Sequence, residues 1–72
     1  MIILKDIQKQ ISDAIKNSGL SQTEIAKKCG VSQQTISHYY KGDKAPSIDT
    51  FANICAVLDL DPFEILCIRP KK

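Results

Sequence analysis

Two adjacent glutamines, Gln33 and Gln34, stand at the start of a predicted helix and have side chains suited to contacting nucleic-acid bases. A glutamine amide both donates and accepts hydrogen bonds, and in a major groove it pairs with N6 and N7 of adenine together. The same side of the predicted helix carries further polar or basic residues and no acidic one: Ser37, His38 and Lys41. This pattern predicts a base-contacting surface, although the solvated side of an amphipathic helix would also carry such residues.

The preceding segment predicts a short helix with clear end signals. Ser21 and Glu24 have the spacing of a capping box, so the helix begins at Gln22. Its apolar side consists of residues at helical spacing: Ile25, Ala26 and Cys29. Gly30 follows where the chain must turn, and glycine adopts a left-handed conformation there without steric cost.

The helix that carries the two glutamines has equally clear bounds. Ser32 is its expected N-cap, and Gly42 ends it. Ile36 and Tyr39 are three residues apart and continue the apolar side of the first helix. Two short helices joined by about four residues that include a glycine are typical of a helix-turn-helix, which residues 21–42 therefore predict.

The segment Leu20–Leu66 resembles the Cro/C1-type, lambda-repressor-like family of helix-turn-helix domains. The family pattern is a glutamine, an alanine four residues later, a glycine at the turn, a small polar cap and an aliphatic residue in the second motif helix. In this sequence the pattern falls on Gln22, Ala26, Gly30, Ser32 and Ile36. The resemblance implies an all-α bundle of about five helices.

The resemblance also implies roles for individual side chains. Gln22 would bond a DNA phosphate and brace the second motif helix, while His38 would face base edges together with the two glutamines. Lys41 and Lys44 fall where family members contact phosphates. The complete set of candidate DNA-binding residues is Gln22, Ser32, Gln33, Gln34, Thr35, Ser37, His38, Lys41 and Lys44.

Apolar residues outside the motif predict the rest of the bundle. One helix is expected from about Lys5 to Asn17, ending at Gly19. Its inward residues are Ile7, Ile11, Ala14 and Ile15. A later helix capped by Ser47 would turn the following residues inward: Phe51, Ile54, Cys55 and Leu58.

A last short helix is expected after Asp61, with a proline in its first turn and Glu64 as capping-box partner. It would hold three apolar residues in the bundle: Phe63, Ile65 and Leu66. Seventy-two residues with 43% apolar content fit one domain, 1–72, with a short basic tail at 69–72.

The sequence argues against several other classes of protein. It has no apolar run of about 18 residues, and Met1–Leu4 is too short for a signal peptide, so a cytoplasmic, nucleoid-associated protein is expected. The cysteines at 29, 55 and 67 form no C-x-x-C pair, which argues against structural zinc and favours reduced core thiols. His38 is the sole histidine and has no catalytic or cofactor motif around it, so neither an enzyme nor a cofactor is expected.

Charge is unevenly distributed along the chain. Residues 21–47 carry four lysines against two acidic residues, a net of +2, while residues 48–68 carry four acidic residues and no basic one, a net of −4. A basic motif side would attract phosphates and an acidic far side would avoid them. The same distribution also fits ordinary solvated surfaces.

The sequence therefore predicts a sequence-specific DNA-binding transcriptional regulator, a prophage-type repressor that occupies a palindromic operator as a homodimer. No small-molecule ligand is evident. Two alternatives stay open: an antitoxin that autoregulates its operon, and a protein-interaction module of the same fold that does not bind DNA. The expected dimer surfaces are the apolar ends, residues 1–4 and 65–68, which would otherwise simply close the bundle.

Overall fold

The computed structural model describes residues 2–66 and 68, and these residues form five α-helices and no strand. The helices are α1 (Leu4–Asn17), α2 (Gln22–Cys29), α3 (Gln33–Lys41), α4 (Ile48–Leu58) and α5 (Pro62–Ile65). The expected all-α bundle is confirmed, with α1 beginning one residue earlier than expected. The tail at 69–72 lies outside the described residues.

Five isoleucines with exposures of 2% or less form the centre of the core: Ile11, Ile15, Ile25, Ile36 and Ile54. They come from the first four helices, so one apolar cluster joins these helices. Full burial of such a side chain contributes roughly 1.5–3 kcal/mol. In this arrangement α3 packs on both α1 and α2, α2 also packs on α4, and α5 packs on α1. The core therefore supports the buried side of α3 and leaves the opposite side exposed to solvent.

The predicted caps of the two motif helices are present. The Ser21 hydroxyl accepts a hydrogen bond from the Glu24 N–H at 3.1 Å, and the Glu24 carboxylate accepts one from the Ser21 N–H at 3.2 Å. The Ser32 hydroxyl accepts from the Thr35 N–H at 3.1 Å. Gly30 ends α2 in the left-handed region at φ 72°. The predicted bounds of the motif helices are therefore confirmed.

Two expectations about the later helices are wrong. Ser47 occupies the N-cap position of α4, but its hydroxyl donates to the Asp49 carboxylate at 2.6 Å instead of accepting a backbone hydrogen bond. Phe63 was expected inward and is 51% exposed. Because α5 is one turn long, it buries only one side; Ile65 occupies that side, and Phe63 lies about 200° away around the helix.

The expected core cysteines are partly described. Cys29 and Cys55 are buried free thiols, while Cys67 lies outside the described residues. Burial raises the pKa of the Cys29 thiol, and burial together with the nearby Asp61 charge raises the pKa of the Cys55 thiol. Within residues 2–66 and 68, no three His, Cys, Asp or Glu side chains converge in an arrangement that would hold a metal ion. In the same part of the chain, no helix has the length and apolar character needed to cross a bilayer.

Candidate nucleic-acid interface

The turn between α2 and α3 is fixed by backbone hydrogen bonds. The Val31 N–H donates to the Ala26 carbonyl at 3.0 Å, and the Gly30 N–H donates to the Lys27 carbonyl at 3.3 Å. This is the Schellman arrangement, which a left-handed residue at the helix end makes possible. Ala26 is buried at the α2 side of the motif, and Ile36 is buried on α3. The relative placement of the two helices is therefore set by the turn and by the core together.

Both glutamines of α3 are exposed to solvent in its first turn. Neither Gln33 nor Gln34 forms a side-chain hydrogen bond with the described part of the chain, so both amides are available to an outside partner. Ser37 and His38 follow one turn later and are half-buried, and Lys41 is exposed at the end of the helix. Residues spaced by three or four share a helix side, so these polar side chains form one strip.

Two of the candidate DNA-binding residues, Ser32 and Thr35, are hydrogen-bonded to each other at the cap of α3. The Ser32 and Thr35 hydroxyl oxygens are 2.8 Å apart, in addition to the backbone hydrogen bond that Ser32 accepts. Either hydroxyl can be the donor of this bond. In both cases one hydroxyl hydrogen of the pair stays available for an outside acceptor such as a phosphate oxygen.

Gln22 is the first residue of α2 and is half-buried. Its side-chain amide makes no hydrogen bond with any residue that the structure describes. The amide donors are therefore available to an external acceptor at the beginning of α2.

His38 is joined to Asp43 across the end of α3. Its Nδ1 atom lies 3.2 Å from Oδ1 and 3.5 Å from Oδ2 of the Asp43 carboxylate. The two side chains are 31% and 54% exposed. A backbone hydrogen bond also joins these two residues: the Asp43 N–H donates to the His38 carbonyl at 3.2 Å. The only histidine of the chain is thus held by a carboxylate beside the candidate contact strip.

A basic cleft of about 370 Å³ lies between α1 and the end of α3. Four lysines line it: Lys5, Lys9, Lys16 and Lys41. Asp13 is the acidic residue of the lining, and its carboxylate pairs with the Lys9 ammonium at 3.1 Å. The positive surface at the end of α3 therefore continues onto α1. Lys44 is exposed in the loop after α3.

Tyr39 and Tyr40 have different environments. Tyr39 is buried in the core, as its helical spacing predicted. Tyr40 is 37% exposed, and the Lys16 ammonium lies 5.2 Å from the centre of its ring, within the range of a cation–π interaction. Tyr40 therefore connects α3 to Lys16, one of the α1 lysines that line the basic cleft.

A helix-turn-helix family model matches residues 11–65, which is most of the chain and extends from the second half of α1 to the end of α5. The chain belongs to the Cro/C1-type helix-turn-helix family. Membership makes it a DNA-binding regulator of the helix-turn-helix class, with double-stranded DNA as its partner. The family is regulatory and not typically enzymatic. Comparison with curated proteins and with solved structures gave no match.

In this Cro/C1-type domain, sequence analysis missed two features of the interface. The sequence shows Asp43 only as one of the two acidic residues of the motif segment, whereas its place directly after the glycine that ends α3 brings it back to His38. The lysines of α1 were also missed as part of the basic surface. Lys5, Lys9 and Lys16 have helical spacing, but only the packing of α1 on α3 places them beside Lys41.

Proposed function

We propose that this Cro/C1-type domain is a sequence-specific transcriptional regulator that inserts the first turns of α3 into the major groove. The observation that carries the proposal is the pair of exposed, unpaired amides of Gln33 and Gln34 on a side of α3 without acidic residues. Each amide matches the donor and acceptor pattern of adenine. Because α1 and α2 pack against the buried side of α3, its exposed side is presented to DNA as a rigid surface.

The remaining candidate residues divide into base contacts and phosphate contacts. In this proposal Ser37 and His38 contact base edges one turn beyond the glutamines. The others bond phosphate oxygens on either side of the groove and fix the position of α3: Gln22, Ser32, Thr35, Lys41 and Lys44. Phosphate contacts supply affinity and register, whereas base contacts supply specificity.

We further propose that the regulator represses transcription by occupying its operator at the nucleoid. A DNA-bound domain competes with polymerase for the same promoter, and this mechanism needs no catalytic group and no bound ligand.

The regulator is proposed to act as a homodimer, because one domain contacts about half a turn of DNA and a unique site requires more. Two copies would contact half-sites about one helical turn, or ~34 Å, apart. Of the two apolar ends expected to pair, Ile65 is buried and Leu66 half-buried, so these two residues help to close the bundle. Among the described residues of these two ends, those that stay exposed are Ile2, Ile3, Leu4 and Ile68.

Another exposed apolar residue lies beside the start of α1 and strengthens the dimer proposal. Ile48, at the start of α4, is 80% exposed and lines an apolar cleft of about 190 Å³ together with Leu4 and Pro46. Exposed apolar side chains grouped around a cleft are typical of protein interfaces. A second copy of the chain is the proposed occupant, since a two-fold axis would pair the same apolar surface on both subunits.

Selection of bound duplexes from a random DNA pool tests this function. We expect a palindromic consensus that the domain binds at least 10³-fold more tightly than random duplex at the same salt concentration. Equal affinity for selected and random duplexes would contradict sequence-specific binding. A consensus made of one half-site would contradict the dimer.

A further inference from the structure

We propose that Asp43 fixes the tautomer of His38 and thereby determines which base this position of α3 prefers. The inference rests on the proposed function, since it assigns Asp43 a positioning role beside the polar side chains of α3 that are proposed to contact DNA. It concerns one residue, Asp43, that lies outside the candidate contact set.

The hydrogen-bond geometry defines which nitrogen of the neutral ring carries the proton. A carboxylate only accepts hydrogen bonds, so the contact of 3.2 Å between His38 Nδ1 and Asp43 Oδ1 places the proton on Nδ1. A neutral ring with a protonated Nδ1 has an unprotonated Nε2. In the neutral ring Nδ1 is therefore occupied by Asp43, and Nε2 is the ring nitrogen left for an outside partner, to which it offers an acceptor.

The backbone holds Asp43 in the required place. Gly42 ends α3 at φ 79°, and its N–H donates to the Tyr39 carbonyl at 3.1 Å. The Asp43 N–H then donates to the carbonyl of His38 itself at 3.2 Å. Because main chain and side chain of Asp43 both bond the same residue, the orientation of the carboxylate follows from the end of the helix.

The location of His38 connects this tautomer to DNA. His38 lies four residues after Gln34, one helical turn further along the same side of α3. In the major groove, an acceptor on the protein needs an amino donor, which is N4 of cytosine or N6 of adenine. Guanine presents N7 and O6, both acceptors, at its major-groove edge. A neutral His38 ring held by Asp43 therefore favours cytosine or adenine over guanine.

The variant Asp43→Asn tests the assignment, because an asparagine amide can donate to Nδ1 and so permits the other tautomer, with a donor at Nε2. Selection from a random pool should give cytosine or adenine at one half-site position with the wild-type protein. With Asp43→Asn this preference should fall about fivefold, which is the change expected when one hydrogen bond is lost, or it should move to guanine. The other positions should stay unchanged.

Two controls separate this effect from the loss of a charge. Asp13→Asn removes an equal charge from an exposed carboxylate that pairs with Lys9 on α1. It should change the affinity for all DNA without changing base preference. In a His38→Gln background, Asp43→Asn should have no effect on the preferred base, because the ring that Asp43 orients is absent.

Imidazole ¹⁵N spectra give a readout that does not depend on DNA binding. His38 is the only histidine in the sequence, so its two ring nitrogens are assigned without ambiguity. We expect a protonated Nδ1 and an unprotonated Nε2 in the wild type, and a population shift toward protonated Nε2 in Asp43→Asn. A wild-type ring with protonated Nε2, or an unchanged consensus in Asp43→Asn, would overturn the inference. If the wild type selects no sequence at all, the proposed function fails instead.

Discussion

The hydroxyl of Ser12 in α1 donates a hydrogen bond to the backbone carbonyl of Tyr40 in the last turn of α3, with 2.5 Å between the two oxygens. This carbonyl is one of the final four of the helix, which have no partner within it. Ser12 is 6% exposed and is the buried polar residue of the described chain. One turn further along α1, Lys16 lies over the Tyr40 ring. Two residues of α1 thus fix the end of α3.

Replacing Ser12 with alanine should lower the free energy of unfolding by about 1–3 kcal/mol, because the Tyr40 carbonyl loses its partner in a buried place. Urea unfolding followed by circular dichroism measures the change. Ser37→Ala is the matched control, since its hydroxyl makes no hydrogen bond with the described residues. Equal midpoints and slopes for the two variants would show that the contact does not stabilise the domain.

The turn between α2 and α3 gives a second stability prediction. Gly30 has φ 72°, and a Cβ placed there would meet nothing within 4 Å, so any penalty comes from the backbone conformation alone. Gly30→Val should therefore cost on the order of 1–3 kcal/mol, and Gly30→Asn less, because asparagine tolerates the left-handed region. Thermal unfolding of the two variants compares them directly. If the valine variant were as stable as the asparagine variant, residue 30 would not be the left-handed residue of the turn.

The parts of the fold that the sequence predicts are those with local causes. A capping box such as Ser21 and Glu24, or a glycine such as Gly30, acts on residues within one turn, and its effect is visible in the sequence itself. The buried side of α3 follows from the spacing of Ile36 and Tyr39 in the same way.

Features that depend on distant residues were not predicted. Ser12 stands between core isoleucines of α1, and its partner Tyr40 is 28 residues away, so no local pattern indicates the bond. Phe63 has the hydrophobicity of a core residue, but the shortness of α5 decides its exposure. For the candidate site, the polar strip of α3 was predictable, whereas the lysines of α1 needed the packing of two helices.

Phosphate contacts should be distinguishable from base contacts by salt dependence. Lys41→Ala or Lys44→Ala should weaken binding to specific and random duplexes about equally and make the log–log salt slope shallower by about one unit. Titrations by fluorescence anisotropy at several salt concentrations measure both quantities. Lys28→Ala, an exposed lysine in the last turn of α2, controls for the loss of overall charge. A changed base preference in Lys41→Ala would move this lysine to the base-contacting set.

The dimer surface is tested at Ile48, whose side chain is so exposed that the single domain does not need it. Ile48→Ser should lower the sedimentation mass or the cooperativity of binding to a palindrome, while helicity and half-site binding persist. Ala56→Ser, at another exposed position of α4, should leave all four properties unchanged. An undiminished dimer in Ile48→Ser would exclude this cleft as the interface between copies.

The most direct test of base contact by α3 is a parallel selection from one random DNA pool with the wild type and with the Gln33→Ala, Gln34→Ala double variant. Both side chains are exposed and make no hydrogen bond with the described residues, so the variant should fold normally. We expect adenine-containing half-sites for the wild type and lost preference at one or two positions for the variant. Specific affinity should fall by roughly 1–3 kcal/mol per glutamine, with little change on random DNA. The same consensus from both proteins would contradict the central claim that these glutamines select the sequence.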